Sequence, residues 1–330
     1  MTAFTVLNLS LLAILTATAV AITRIRALYE ATMLMALFGL VTASLFVLLD
    51  AVDVAFTEAA VGVGISTVLF LGVLALTHSR EAVTPRRRQW PAAIVVLLTG
   101  GTLVYAAGDL PQFGAADTPV QVHPVTRTYL VESQNDIGIP NTVTSVLASY
   151  RGFDTFGELV VVFTAGIAVL MLLGGAHSQP ALRQRLDLVL ADYRVLRVVS
   201  KMLLPFILLF ALYVLFHGDF GPGGGFQAGV IFASGFVLYS LVFGLSQAQR
   251  LLPRRVLLWL IPFGVLLYGG VGVANMLLGG AFLDYGSLWP GDPKAGQHLG
   301  ILLVETAVGS TVAAVMTVIF FSFAGRGTSR

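Results

Sequence analysis

Nine long apolar runs constrain this chain more than any other feature of its sequence. Each run has about twenty residues, the number that an α-helix needs to cross a hydrocarbon core of roughly 30 Å. The runs lie near residues 2–22, 29–49, 54–77, 91–109, 154–175, 198–216, 224–246, 255–279 and 298–323. Charged residues make up only 11% of the chain, against roughly 25% in an ordinary soluble domain. The sequence therefore predicts an all-α integral membrane protein with about nine transmembrane helices.

Basic residues are divided unequally between the two sides of the predicted membrane. If the N-terminus faces outward, the cytoplasmic side holds Arg24, Arg26, Arg80, Arg86, Arg87, Arg88, Arg183, Arg185, Arg194, Arg197, Lys201, Arg250, Arg254, Arg255, Arg326 and Arg330. The opposite side holds only Arg127, Arg151 and Lys294. Such a split is what the positive-inside rule produces, so we expect the N-terminus outside and the C-terminus in the cytoplasm. Because no basic residue precedes the first run, we expect a retained helix and not a cleaved signal peptide.

Composition also argues against several kinds of site. Cysteine is absent, which excludes disulfides, thiolate metal sites and thiol catalysis. The five histidines show no metal-ligand spacing; they are His78, His123, His177, His217 and His298. The basic residues follow the predicted membrane topology, so they do not indicate a nucleic-acid partner. We expect no cofactor and no resident metal.

Three polar stretches separate the predicted spans. Residues 80–90 and 177–197 are predicted to be cytoplasmic, and they divide the chain into three segments. Residues 110–151 are predicted to be external. Nine spans without an internal repeat do not support the inverted-repeat architecture of many secondary transporters.

The external stretch contains one predicted helix. Asn141 is typical of a helix N-cap, because its side chain accepts hydrogen bonds from free backbone amides of the first turn. An N-cap at Asn141 predicts a short helix over residues 142–150. One face of that helix carries Val143, Val146, Leu147 and Tyr150. This apolar face predicts contact with the membrane surface or with a partner protein.

Ionisable residues inside the predicted spans are the first candidates for function. A charge at the centre of a transmembrane helix costs roughly 2.5–3.5 kcal/mol on insertion scales. Four such residues occur, namely Glu58, Glu158, Lys201 and Glu305. Lys201 lies close to a helix end, so we favour a side chain that extends to the cytoplasmic surface.

The three glutamates each allow a functional and a structural interpretation. Glu58, one turn after Asp53, is either a protonatable or cation-binding carboxylate or half of a structural ion pair. Glu158 and Asp154 are four residues apart on one helix face. Either a proton passes between them, or Asp154 caps the helix and Glu158 lies at headgroup depth. Glu305 either exchanges protons or packs, and His298, two turns before it, is interpreted as an interfacial histidine.

A glycine-rich stretch over residues 217–229 joins two predicted spans, and we call it the glycine turn. Glycines at this density permit positive φ angles and close backbone approach. The residues of interest in this motif are His217, Gly218, Pro222, Gly223, Gly224, Gly225 and Gln227. From the residues alone, a tight turn is favoured over a phosphate-binding loop, because neither the P-loop spacing nor its Lys is present.

Three consecutive pieces of the chain resemble parts of one group of membrane complexes. Residues 49–62, LDAVDVAFTEAAVG, resemble the MbhD-like domains of membrane-bound hydrogenases and of the large Mrp antiporter subunit. Residues 141–158 resemble the MbhE-like piece that follows there, and the chain from about residue 195, with its glycine turn, is similar to the MnhB (MrpB) subunit. The resemblance predicts an MbhD-like three-helix domain at 1–80, an MbhE-like domain at 81–180 with two transmembrane helices, an external loop and a short surface helix, and an MnhB-like four-helix domain at 195–330.

This resemblance implies an accessory or ion-path subunit of an Mrp-type Na⁺/H⁺ antiporter, and so a transporter component and not an enzyme. It implies a prokaryotic cytoplasmic (inner) membrane, with other antiporter subunits, lipid, Na⁺ and H⁺ as partners. The matching positions make Glu58, Glu158 and Glu305 ion-path carboxylates, accompanied by the lesser candidates Asp53, Asp154, Lys201 and His217. The alternatives are the same module in a hydrogenase or another redox-linked complex, and a purely structural scaffold.

Overall fold

The computed structural model describes residues 3–75, 77, 79–81, 86–173 and 194–325. In that part of the chain, nine helices are long and apolar enough to cross a membrane. They are α1 (Ala3–Arg24), α2 (Leu28–Leu48), α3 (Val52–Leu74), α4 (Arg86–Ala107), α5 (Gly152–Leu173), α6 (Arg194–His217), α7 (Gly225–Phe243), α8 (Arg254–Leu277) and α9 (Pro293–Ala324). Each follows a predicted apolar run to within a few residues, so the predicted all-α membrane fold is confirmed.

Some of the residues considered above fall outside the described part. These are His78, His177, Arg183, Arg185, Arg326 and Arg330, together with most of the second polar stretch. The direction in which the chain crosses the membrane stays a prediction, as do the three domain boundaries.

Short helical segments connect the long helices. They are Pro119–Val122, Pro124–Arg127, Thr128–Glu132, Ser133–Asp136, Thr142–Thr144, Ser145–Tyr150, Leu245–Leu251 and Tyr285–Leu288. Two of these, Thr128–Glu132 and Ser145–Tyr150, have π-helical geometry. The segments Thr142–Thr144 and Ser145–Tyr150 run on continuously, and together they form the predicted helix, which we call the short helix.

Helix α9 lies at the centre of the fold. It packs along α7 and α8 and also contacts α5 and α6. In the most apolar 18-residue segment of α9, 61% of the residues are buried, whereas the share is 6% in α1 and 0% in α4. Small residues allow this packing: a Cβ atom on Gly229 of α7 would lie 2.7 Å from the main-chain oxygen of Gly309 in α9. Glycine at such contacts lets two membrane helices approach at backbone distance.

The first three helices form a layer beside this centre. Helix α2 packs against both α1 and α3. Helix α3 changes from α to π geometry over Ala59–Ile65, directly after Glu58. Segments of π-helix inside α-helices frequently lie at functional sites. This segment also contacts α7, so it joins the first layer to the centre.

Two buried tyrosines attach the short helix and the start of α5 to the centre. The hydroxyl of Tyr268 donates a hydrogen bond to the main-chain oxygen of Gly152, at 2.8 Å. The hydroxyl of Tyr285 donates to the main-chain oxygen of Ala148, at 2.9 Å. Both tyrosines are fully buried. A buried phenol needs such a partner, so these bonds fix where α5 begins and therefore where Glu158 lies.

The short helix turns its polar face inward. Thr144, Ser145 and Ala148 are buried, whereas Val143 and Leu147 are 40% and 44% exposed. Val143 and Leu147, from the apolar face that the sequence predicts for contact with lipid or a partner, line a cavity, whereas Tyr150 of the same face packs against the hydrophobic core. Contact of this face with lipid or a partner stays a prediction.

Candidate functional site

A cavity of about 320 Å³ lies where α3, α5, α7, α9 and the short helix meet. Three carboxylates from distant parts of the chain line it: Asp53 of α3, Glu158 of α5 and Glu305 of α9. Its other walls are largely apolar, and they include Leu159 and Val312. Glu158 is exposed, whereas Asp53 and Glu305 are partly buried. The cavity thus brings together three of the predicted ion-path residues.

The carboxylate of Glu305 is bound by the start of α7. One of its oxygens accepts a hydrogen bond from the backbone amide of Gly225. The first amides of a helix have no partner within the helix, and the helix dipole favours a negative charge there. A Cβ atom on Gly225 would overlap the main-chain oxygen of Glu305, and Gly224 has a φ of +121°. Glycine is therefore required at both positions for this approach.

A second set of contacts joins α3 to the glycine turn and α7. An oxygen of the Asp53 carboxylate accepts a hydrogen bond from the amide of Gly223, at 3.4 Å. The side-chain amide of Gln227 donates to the hydroxyl of Thr57, at 2.7 Å. Two cavity carboxylates are therefore bound by amides of the glycine turn, and Gln227 holds α3 beside them.

The other side of the glycine turn is bound by the short helix. The side-chain amide of Asn141 donates to the main-chain oxygens of Gly218 and Gly221, both at 2.9 Å. The hydroxyl of Thr144 also donates to the Gly218 oxygen, at 2.6 Å, and the backbone amide of Asn141 donates to the Asp219 oxygen, at 3.0 Å. The Asn141 side-chain oxygen accepts from the amide of Val143, at 2.9 Å. The predicted N-cap is confirmed, and the same side chain has a second set of partners.

An ion pair that sequence reasoning missed lies in the glycine turn. A carboxylate oxygen of Asp219 is 2.6 Å from Nδ1 of His298, and the Asp219 side chain is only 10% exposed. His298, which the sequence predicts to be an interfacial histidine, has a side chain that is 53% exposed and is also the partner of this buried acid. Burial raises the pKa of Asp219 above its ordinary value of 3.8, and the charge and hydrogen bond of His298 oppose the rise. An acid inside the glycine turn was the available signal for this pair.

The raised pKa of Asp219 predicts a pH dependence of stability. A folded-state pKa above the unfolded value adds stability at low pH, and that contribution is lost as the pH rises through the folded-state pKa. We therefore expect the stability of the wild type relative to Asp219→Asn to decrease as the pH rises through the folded-state pKa of Asp219. The measurement is the thermal unfolding midpoint of the detergent-solubilised complex from about pH 4 to about pH 8, a range that covers ordinary Asp and His titration. Asp154→Asn, in an ion pair that is half exposed, is the control, and equal slopes for both variants would contradict the assignment.

Other predicted residues lie away from the cavity. The carboxylate of Glu58 points towards α2, where a Cβ atom on Gly39 would lie 3.0 Å from it. Asp154 forms an ion pair with Arg151 at 2.6 Å. The side chain of Lys201 is exposed, in keeping with a lysine that extends to the membrane surface.

His217 lies at a second cavity. Its ring stacks on Tyr213, with the centroids 4.9 Å apart. With Pro222 it lines a cavity of about 470 Å³ between α2, α3 and α6, whose remaining walls are mostly apolar. The glycine turn thus separates two spaces: Gly223 and Gly224 line the first, and His217 and Pro222 line the second.

Comparison with known protein families identifies relatives for two parts of the chain. Residues 195–318 match the family described as a domain related to the MnhB subunit of Na⁺/H⁺ antiporters. Over 134 residues the chain is 34% identical to a Staphylococcus aureus protein named "Putative antiporter subunit mnhB2", and it covers 94% of that protein and 40% of itself. The chain belongs to the MnhB family of antiporter subunits. Residues 13–79 match the MbhD family, described as the D subunit of MBH, so the predicted fusion of an MbhD domain with an MnhB domain is confirmed.

Longer relatives contain both parts in one polypeptide. The chain is 24% identical over 315 residues to a Rhizobium meliloti protein described as the A/B subunit of a probable K⁺/H⁺ antiporter, covering 87% of this chain and 31% of the relative. A chain in the structure of the Mrp complex from a Dietzia species superposes with a TM-score of 0.75 at 27% identity, covering 97% of this chain and 35% of that one. This chain therefore spans about a third of these relatives.

A redox complex contains a similar chain. In the membrane-bound sulfane sulfur reductase, an archaeal respiratory membrane complex, a chain superposes with a TM-score of 0.55 at 27% identity. The match covers 71% of this chain and 97% of that one. Chains similar to this one therefore occur in the structures of two kinds of complex.

Proposed function

We propose that this protein is an ion-path subunit of a multi-subunit Mrp-type cation/proton antiporter, with Na⁺ as the first candidate cation. The observation that carries the proposal is the cavity in which Asp53, Glu158 and Glu305 meet. Each carboxylate comes from a different predicted domain, so the cavity exists only when all three domains are packed together. Relatives named as antiporter subunits support this assignment. We further propose a prokaryotic cytoplasmic membrane, with the N-terminus outside and the C-terminus inside.

The chemistry of the cavity suits the exchange of two cations. Ionisable side chains within membrane spans mark ion and proton pathways, because their burial is otherwise too costly. A carboxylate oxygen holds either a proton or a metal cation, so loading one displaces the other. Glu158 lies at the exposed side and Glu305 deeper, which gives an entry point and an internal point. Glu58 lies on the other side of α3, so its part in the path requires a second passage between α2 and α3.

We expect cation-dependent proton movement in everted membrane vesicles that contain the complete complex, and we expect Glu158→Gln to reduce it severely. The neutral amide keeps the shape of the side chain and removes the charge that attracts a cation. Proton movement is followed with a pH-sensitive dye after addition of Na⁺ or K⁺, and complex assembly is checked in parallel. Normal exchange by an assembled Glu158→Gln complex would remove Glu158 from the path. Loss of assembly in this variant would instead support the scaffold interpretation.

The second candidate is the membrane module of a redox-linked ion pump, which the similarity to the sulfane sulfur reductase chain favours. The same vesicles separate the two functions. An antiporter exchanges ions when only a cation gradient is supplied, whereas a redox-linked pump needs an electron donor. Exchange that appears only with an electron donor would therefore assign the chain to the redox complex.

A further inference from the structure

The glycine turn is bound on two opposite sides. Away from the cavity, three of its main-chain oxygens accept hydrogen bonds from the short helix, through Asn141 and Thr144. Towards the cavity, the amides of Gly223 and Gly225 donate to Asp53 and Glu305. The oxygens and the amides belong to one short run of backbone, so fixing one side also fixes the other.

Glycine-rich backbone does not hold such a geometry by itself. Each glycine has more accessible backbone conformations than any other residue, so ordering several in succession carries a large entropic cost. Buried main-chain oxygens also need hydrogen-bond partners. Asn141 is 9% exposed and Gly218 is buried, so the side chain of Asn141 supplies partners that water does not readily replace.

We propose that Asn141 is a positioning residue for ion exchange: from the short helix it fixes the glycine turn so that the amides of Gly223 and Gly225 reach Asp53 and Glu305. It touches neither carboxylate, and it acts through the backbone of the turn. Thr144 acts in the same way through one bond. This inference rests on the proposed function of the cavity and adds to it that the external loop region sets the affinity for the transported cation.

The side chain of Asn141 caps the short helix through its oxygen and binds the glycine turn through its nitrogen, and substitutions can separate these two roles. Asn141→Asp keeps an oxygen that can accept from the Val143 amide and cap the helix, but it loses both donors to the turn. Thr144→Val keeps the shape of the side chain and removes the third side-chain donor. The control is Ser149→Ala, which removes the bond to Gln297 from the same short helix without touching the turn.

In the complete complex, we expect Asn141→Asp to raise the cation concentration for half-maximal exchange about tenfold, which corresponds to a loss of about 1.4 kcal/mol of binding free energy. We also expect this variant to move the pH profile of exchange. Thr144→Val should show a smaller change in the same direction. The maximal rate per assembled complex should change less than the half-maximal concentration. Ser149→Ala should match the wild type. A fall only in the amount of assembled complex, with an unchanged half-maximal concentration, would reduce Asn141 to a structural role and overturn the proposal.

A second readout does not depend on transport. Because the chain has no cysteine, Leu159→Cys places a single thiol at a cavity wall that is 2% exposed. In the detergent-solubilised complex, we expect a maleimide to label this thiol about tenfold faster when Asn141→Asp is also present, since the buried bonds that hold the turn are lost. Equal labelling rates with Asn141→Asp and Ser149→Ala would overturn the proposal. If Asn141→Asp speeds labelling but the complex without this substitution exchanges no ions, the role of Asn141 in fixing the glycine turn would be supported and the proposed function of the cavity would be rejected.

Discussion

Replacing Glu305 by Gln is expected to reduce cation/proton exchange to the background of vesicles that lack the complex, while the complex still assembles. The amide oxygen of Gln can accept the hydrogen bond from Gly225 in place of the carboxylate. The contact between α7 and α9 is therefore retained. The side chain can no longer take up a proton or neutralise a cation, so a path through this carboxylate is interrupted.

The experiment compares exchange per assembled complex in everted vesicles, with assembly measured by native gel electrophoresis of the same membranes. Glu132→Gln is the matched control, because it makes the same chemical change in the loop region, in a residue that pairs with Arg127 at 3.6 Å and is 46% exposed. We expect that control to exchange normally. Normal exchange by Glu305→Gln would show that ions bypass the cavity, and loss of assembly in this variant would show that the carboxylate serves only to join α7 and α9.

The helices and the candidate carboxylates were predictable because both follow from local sequence. A run of about twenty apolar residues specifies a membrane helix without reference to the rest of the chain. A glutamate inside such a run is conspicuous because of its energetic cost. The sequence therefore predicted Glu158 and Glu305 as candidates, and the N-cap at Asn141.

The arrangement of these residues was not predictable in the same way, because it depends on contacts between distant segments. The bond between Asp53 and Gly223 joins residues 170 positions apart, and that between Gly225 and Glu305 joins residues 80 apart. No local pattern states that Glu58 faces α2 whereas Asp53 faces the glycine turn. From the residues alone, a tight turn and a phosphate-binding loop are alternatives for the glycine turn. In the structure the turn is tight, and its amides also bind carboxylates of the same chain.

A large effect on stability is expected from Gly264→Ala in α8. A Cβ atom there would overlap both the main-chain oxygen of Ala307 and the hydroxyl of Thr311 in α9. That hydroxyl donates a buried hydrogen bond to the main-chain oxygen of Ile261, at 3.0 Å. One obstacle is backbone and the other is a hydroxyl held by this buried hydrogen bond, so the two helices must separate. Overpacking of this kind typically costs about 1–3 kcal/mol, and more where backbone must move.

Gly270→Ala is the control for this prediction, because it makes the same change six residues later in the same helix. A Cβ atom on Gly270 meets nothing within 4 Å. Alanine is preferred over glycine in a helix by about 0.5–1 kcal/mol, so Gly270→Ala should be neutral or stabilising. We expect the thermal unfolding midpoint of the solubilised complex to fall clearly for Gly264→Ala alone.

Because Ala307 lies two residues from Glu305 on α9, separating α8 from α9 also displaces the cavity carboxylate. Cation/proton exchange by Gly264→Ala should therefore decrease together with its thermal unfolding midpoint. Equal midpoints for the two variants would mean that α8 and α9 do not approach each other at backbone distance in the assembled complex.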